Sequence, residues 1–294
     1  MSVLQDLIVK FNSKKNAELY TRIIKEIQSA EKIWTAFSDA SNNYYLGNVN
    51  GSATAYLFSE KDFFDIFYVH EKQKGYDVRS AENPAEYRMA LLADLYRSGF
   101  ETIIIDSGQT YLKMSLFDII KKPQEQTDNK DTRLIVNPSL VRTACWFFQE
   151  NAKEPANEEM WKLLFTEIFK AEYIVPADTR NLKIDGVKSG KIKLGKNSEV
   201  SFPVLQNSEG KSYYPFFTDW NELRKYDMNS NYSVLAANFK DLQRFAGKAD
   251  GIVINPYGAN IILTSDMLND IKNISLKAEK SKSEIMAVSY THLT

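Results

Sequence analysis

The chain has 294 residues, 44% of them apolar and 26% charged, with a net charge of −1. That is length for two domains of ordinary size and enough apolar material for real cores. The charge balance offers no field toward nucleic acid or an anionic membrane, and no apolar run reaches the length of a membrane span. A single cysteine, Cys145, excludes an internal disulfide framework and fits a reducing compartment, with the cytoplasm as the default location. Residues 1–15 put their basic side chains after the apolar ones, the reverse of a signal peptide.

In chain order, Leu4, Leu7, Ile8 and Phe11 share one helical face. Asn16 is placed to cap a second helix running to about Glu31, with Leu19, Tyr20, Ile23, Ile24 and Ile27 as its apolar stripe. Residues 42–51 are turn-rich and 53–58 read as a strand. Ser59-Glu60-Lys61-Asp62 then has capping-box form, ahead of a helix expected to bury Phe63, Phe64, Ile66 and Phe67. Residues 71–83 read as a polar loop, and 84–98 as a helix turning Met89, Leu92 and Leu95 or Tyr96 inward. A strand at 102–105, a hairpin turn Asp106-Ser107-Gly108-Gln109 and a return strand at 110–114 follow. Ser115 to Asp118 again has capping-box form.

Residues 121–131 contain no apolar side chain and read as a linker. Asn137-Pro138 places proline at the first position of a helix reaching about Asn151. Asn157 opens the next helix, and residues 157–174 repeat residues 16–33 without a gap at an offset of 141. Asn16/Asn157, Glu18/Glu159, Glu26/Glu167, Ile27/Ile168, Ala30/Ala171, Glu31/Glu172 and Ile33/Ile174 are identical, and the intervening pairs keep the apolar stripe. This pattern implies duplication. The second copy continues with a strand at 173–176, a lysine-rich hairpin at 182–195, and strands at 200–205 and 213–217 about a turn at 208–210. Helices begin at Thr218-Asp219 and at Asn238, and residues 249–271 read as strand, tight turn, strand and capped helix. Residues 273–287 form a charged tail. Residues 288–294 back-translate into the transposase end used in library preparation and are expected to be an adapter scar.

The second half resembles the N-terminal-type domain of the SseB family, named for enhanced serine sensitivity. The resemblance rests on Asn137-Pro138, on residues 170–176, and on Tyr214-Pro215-Phe216-Phe217-Thr218-Asp219. Residues 238–242 and the run Gly251-Ile252-Val253-Ile254-Asn255-Pro256-Tyr257-Gly258 complete it. The first half looks like a degenerate copy, with Ile105-Asp106-Ser107-Gly108 where the pattern has Ile-Asn-Pro-x-Gly. The resemblance implies a fold and carries over no catalytic residue. The expected fold class is α+β, as two related units, each a helical hairpin followed by a mostly antiparallel sheet packed with helices. The expected units are 1–120 and 132–272.

Few residues stand out chemically. In the Asn255-Pro256-Tyr257-Gly258 turn, proline presets one turn angle and glycine is expected to take a positive φ. Asn255 can bond the turn backbone, and Tyr257 sits at a rigid tip suited to a partner. Asp219, where a strand passes into a helix, has the chemistry of a base or metal ligand, yet helix capping accounts for it. Lys188, Lys191 and Lys193, with Lys183 and Lys196 beside them, gather charge on one hairpin. They suit an acidic partner or the protection of an edge strand. Cys145 reads as a packing residue and His70 as a surface one, and one of each excludes a histidine-cysteine zinc site by count. No cofactor is implied. The reading is a non-catalytic cytoplasmic module binding an unidentified protein or small ligand, without nucleic acid or membrane and with its oligomeric state open. The alternatives are an enzyme using the carboxylates Asp219 and Asp178, or an accessory protein of a secretion or immunity system.

Overall fold

The computed structural model describes residues 2–121, 134–180 and 200–275, together with the backbone of 184–188 and 191–194. The chain forms an α+β fold and divides into two compact units, Met1–Trp161 and Lys162–Thr294. Among the described residues, no helix is long and apolar enough to cross a membrane.

The first unit opens with α1 (Val3–Ser13) and α2 (Ala17–Ser29), a helical hairpin whose second helix is capped as expected, the Asn16 carboxamide accepting from Leu19 N–H at 3.0 Å. Strands β1 (Lys32–Ser38), β2 (Asn43–Tyr44), β3 (Gly47–Val49) and β4 (Ser52–Phe58) follow. After α3 (Lys61–Gln73) come β5 (Val78–Pro84), α4 (Arg88–Arg97), β6 (Thr102–Ile105) and β7 (Leu112–Ser115). The sheet runs β2-β1-β4-β6-β7, with β3 on β4 and β5 on β1. Every pairing in it is antiparallel except β4 with β6, whose register ends at Leu57 opposite Ile105. Alternation along the strands sorts the two faces. Ile33, Ala55, Leu57, Ile103 and Ile105 join Leu4, Ile8, Ile23, Ile27, Leu92 and Leu95 from α1, α2 and α4 in one core. Ala36 and Phe58 join Phe64 and Phe67 of α3 in the other.

Three expectations change here. Residues 78–83, read as loop, and Pro84, read as the start of a helix, form the strand β5 and pair with the whole of β1, from Lys32 opposite Pro84 to Ser38 opposite Val78. Because that strand runs through Pro84, the helix begins only at Arg88. This turns Met89 outward, at 50% exposed, and Leu91, Leu92 and Leu95 inward. On α3, Phe64 and Phe67 are buried as expected while Ile66 is 48% exposed.

Helix α5 (Pro138–Asn151) lies among residues of the first unit. Its buried Gln149 accepts from Leu46 N–H at 2.8 Å and donates to Leu46 O at 3.0 Å, an amide standing in for a strand partner. Tyr76 donates to Glu150 at 2.6 Å, and a Cβ on Gly99 would fall 2.4 Å from Pro138 O. Cys145 is fully buried on the same helix. The compact units thus divide inside α6 (Glu158–Lys170), whereas the polar composition points to 121–131.

Asn157 caps α6 through Met160 N–H at 3.0 Å, as Asn16 caps α2. In the second unit β8 (Tyr173–Ala177) leads to the ribbon β9 (Ile184–Lys188) and β10 (Lys191–Leu194), then β11 (Leu205–Gln206) and β12 (Ser212–Phe216). Next come α7 (Trp220–Tyr226), β13 (Ser233–Ala237), α8 (Phe239–Ala246), β14 (Gly251–Ile254), β15 (Ile261–Leu263) and a helix over 265–275. One sheet runs β11-β12-β14-β15 and another pairs β13 with β8. Strand β12 pairs with β14 in parallel, ending at Phe216 opposite Ile254, and Phe217 bridges to Ile174 of β8. Strand β13 falls in a stretch that showed no apolar alternation and was not expected to be a strand. It pairs antiparallel with β8 along all five residues.

One buried cation holds the first helical hairpin to its sheet. Arg88, fully buried, donates to Ile27 O at 2.7 Å, Ala30 O at 3.2 Å, Asn83 O at 2.7 Å and Asn83 Oδ1 at 2.9 Å. The first two oxygens are carbonyls at the end of α2, the end that favours positive charge. Burial pulls the guanidinium down to about 10, so it remains charged at neutral pH. Arg88→Met would leave these buried carbonyls without their donor and should lower stability by about 3 kcal/mol in urea unfolding. An unchanged unfolding midpoint would show that the guanidinium contributes nothing there.

Candidate functional site

The strongest sequence motif, the turn after β14, is held by its first residue. Asn255 lies at φ 52° in the left-handed region, which asparagine tolerates better than most residues. Its N–H donates to Phe216 O at 2.9 Å, and its carbonyl accepts from Gly258 N–H and Asn260 N–H, each at 2.9 Å. The carboxamide is buried and reaches across to the end of β12. Oδ1 accepts from Thr218 N–H at 3.0 Å, and Nδ2 donates to Thr218 Oγ1 at 2.8 Å. The Thr218 hydroxyl in turn donates to Asp219 Oδ2 at 2.9 Å.

Asp219 is buried and acts as the N-cap of α7. Its Oδ1 accepts from Asn221 N–H at 2.8 Å and Glu222 N–H at 3.1 Å. Gly258 departs from expectation. It is absent from the positive-φ positions, which are Asn255 and Asn260 in this turn. A Cβ there would fall 2.5 Å from Oε2 of the buried Glu222, so a larger residue would require that carboxylate to shift.

Tyr257 projects from this turn, 53% exposed, with its ring stacked on Tyr226 at 6.3 Å between centroids. Tyr226 stacks in turn on Tyr232 at 5.9 Å and leans on Phe217 at 5.5 Å. Burial, followed by a hydrogen bond with Tyr232, pushes the Tyr226 phenol up. Asp227, which no sequence motif singles out, sets this stack. Its Oδ1 accepts from Asn231 N–H at 2.8 Å and its Oδ2 from Tyr232 N–H at 3.0 Å, folding the loop so that Tyr232 returns to Tyr226. The signal was present as an Asp/Asn/Ser-rich segment between two tyrosines.

The structure therefore brings Asn255, Tyr257 and Asp219 together through Thr218 and α7. It does not place the lysines in that sheet. Lys188, Lys191 and Lys193 lie on the separate β9-β10 ribbon, with Lys191 opposite Lys188 and Lys193 opposite Gly186, while Lys183 and Lys196 lie outside the described residues. Asp178, at the end of β8, is gripped by Arg180, whose Nε lies 2.9 Å and whose Nη2 lies 2.5 Å away. That fork holds the Asp178 carboxyl at about 2. His70 is an exposed neighbour of Glu71, its Nδ1 3.3 Å from Oε1. A cavity of about 230 Å³ in the first unit is lined by Ser2, Glu26, Lys32, Trp34 and Ser59 among others, and by none of the expected site residues.

The first unit carries the same turn with different chemistry. Asp106 lies at φ 60°, its N–H donates to Leu57 O at 2.9 Å, and its carbonyl accepts from Gln109 N–H at 3.1 Å. Its carboxyl takes Ser59 N–H at 2.7 Å and the Ser59 hydroxyl at 2.8 Å. This leaves Ser59 outside the expected capping box. Residue Glu60 stands at the N-cap of α3 without a side-chain cap bond. Burial pushes the fully buried Asp106 up to about 6, against the lowering by the two Ser59 bonds, and Glu60 adds to the rise.

Together these features define an α+β domain that mounts an aromatic turn on a clamped pair of parallel strands. Residues 150–270 match the family model described as SseB protein N-terminal domain. No curated protein matches the chain. Among solved structures, Tic22 from Plasmodium falciparum is similar at 13% identity, covering 74% of this chain and 84% of that one with a TM-score of 0.18. Anabaena Tic22 (protein transport) is similar at 6% identity over 79% of this chain and 90% of that one, also with a TM-score of 0.18.

The buried carboxyl gives a prediction with a definite sign. The folded state binds the Asp106 proton more tightly than an ordinary carboxylate near 3.8, so between about pH 4 and pH 6 stability falls as pH rises. A difference of roughly two pKa units corresponds to a loss of about 3 kcal/mol, complete above pH 6. Asp106→Asn supplies a donor toward the Ser59 hydroxyl, as Asn255 does for Thr218, and should be the more stable protein at pH 7. The gain in urea unfolding should shrink at pH 4; a gain equal at both pH values would refute the buried-carboxylate account.

Proposed function

We propose that this chain is a non-catalytic, SseB-like interaction module of the cytoplasm. It engages a protein partner through the aromatic turn at Tyr257. The observation that carries the reading is the mounting of that side chain. Tyr257 is half exposed and stacked on Tyr226 and Tyr232, on a turn tied down by buried hydrogen bonds between Asn255 and Thr218. An aromatic held in place loses little conformational freedom on binding, which is how tyrosine serves as an anchor in interfaces. Trp220 and Met228, at 38% and 81% exposed, add residue types favoured in such surfaces at the two ends of α7.

The surroundings of Asp219 and Asp178 weigh against the enzyme alternative. The Asp219 carboxylate is spent on the cap of α7 and on the Thr218 hydroxyl, and Asp178 is a weakly basic carboxylate locked to Arg180. We further propose that residues 1–120 and 132–272 are tandem copies of one domain, the first degenerate. The gapless repeat at offset 141, the matching Asn16 and Asn157 caps, and the parallel pairs that both end in a left-handed clamping residue support this.

The test is affinity capture with the full chain and its Tyr257→Ala variant, read by mass spectrometry. The expected result is a reproducible partner whose recovery falls at least tenfold in the variant, with the melting temperature unchanged within about 2 °C. A partner recovered equally by both proteins, or none across several growth conditions, would overturn the reading.

A further inference from the structure

Strand β13 and strand β5 occupy the same place in their units, each between two helices and paired antiparallel along its length with the unit's first strand. Their free sides are treated differently. Strand β5 carries Arg79, Glu82 and Pro84, the charges and proline with which proteins discourage a further strand from adding. Strand β13 reads Ser-Val-Leu-Ala-Ala, and the chain carries no charged residue and no proline from Met228 through Phe239. Among the described residues β13 pairs with β8 alone. Its Ser233, Leu235 and Ala236 are exposed, Leu235 at 46%. The strand starts directly after Tyr232, at one end of the stacked tyrosines.

We infer that β13 accepts an added strand from an extended, uncharged segment of a partner protein, with main-chain hydrogen bonds supplying affinity and an apolar side chain of the segment packing against Leu235. This deepens the interaction-module reading and rests on it. The size of the edge selects the occupant. Five residues span about 17 Å, a strip too small for the roughly 800 Å² per partner that stable association of two folded chains requires. A short peptide segment fits that strip, and a second copy would need further surface. The lack of charge along 228–239 matches an uncharged segment, since an acidic or basic one would find no opposite charge on the strand.

The test uses the full chain and a fluorescein-labelled, end-blocked (Thr-Val)4 octapeptide, titrated by fluorescence anisotropy. Binding is expected, weakened at least tenfold when alternate residues of the peptide are N-methylated and at least tenfold by Leu235→Lys, an exposed position whose folding is checked by circular dichroism. Tyr87→Ala, at an exposed position of the first unit, should leave peptide binding within threefold. The inference fails if the octapeptide does not bind at millimolar concentration, or if the N-methylated peptide binds equally. It also fails if Leu235→Lys changes nothing, or if sedimentation equilibrium finds a dimer that Leu235→Lys converts to monomer. Peptide binding by the full chain while capture shows no partner that depends on Tyr257 would refute the aromatic-turn reading and leave the edge standing.

Discussion

Each unit depends on a clamp between the ends of two parallel strands. Parallel neighbours cannot be joined by a tight turn, so the chain must leave the sheet, cross over and return. Here the returning strand ends in a residue at positive φ, whose side chain reaches back to the N–H just past the end of the first strand. Asp106 and Ser59 close a separation of 47 residues in this way, and Asn255 and Thr218 one of 37. Both contacts are buried, where an unpaired N–H would be costly. The clamp also sets where the next helix begins, since Glu60 and Asp219 follow immediately as N-cap residues.

The two clamps share geometry and differ in electrostatics. In the second unit a neutral carboxamide leaves the threonine hydroxyl free to donate onward, so one chain of hydrogen bonds links the turn, the strand end and the cap of α7. In the first unit the carboxyl takes up the serine hydroxyl itself, and α3 starts without a side-chain cap. A single exchange of amide for acid thus accounts for a less favourably buried group and a poorer helix start. The tyrosine stack belongs to the better-tied unit. Its elements α7, the 227–232 loop and the 255–258 turn each carry a buried Asp or Asn making local backbone bonds.

Local pattern was legible and distant pairing was not. Helices α1, α2 and α6 and the hairpin β6-β7 announce themselves through caps, stripes and turn residues close together in sequence. Strands β5 and β13 were missed because an edge strand need not alternate. One carries polar residues on both faces, and the other has small or exposed side chains at most positions. Asn255 was recognisable as a turn residue, but its partner Thr218 lies 37 positions away. Gly258 showed in the sequence as a glycine, while its close approach to the Glu222 carboxylate is a contact between elements that no spacing rule reports. Arg88 was invisible for the same cause: only the fold shows a charged residue buried beneath the end of α2.

The position of Cys145 gives the protein a native reporter. It is the only thiol in the chain, fully buried on α5, a helix held by Gln149 and Glu150 to residues of the first unit. A thiol reagent can reach it only when that helix lifts, because the sulfur must be exposed and ionised to react. The alkylation rate of the unmodified chain therefore reports every opening that exposes α5, and a rate above that allowed by global unfolding reports local opening, without an engineered label.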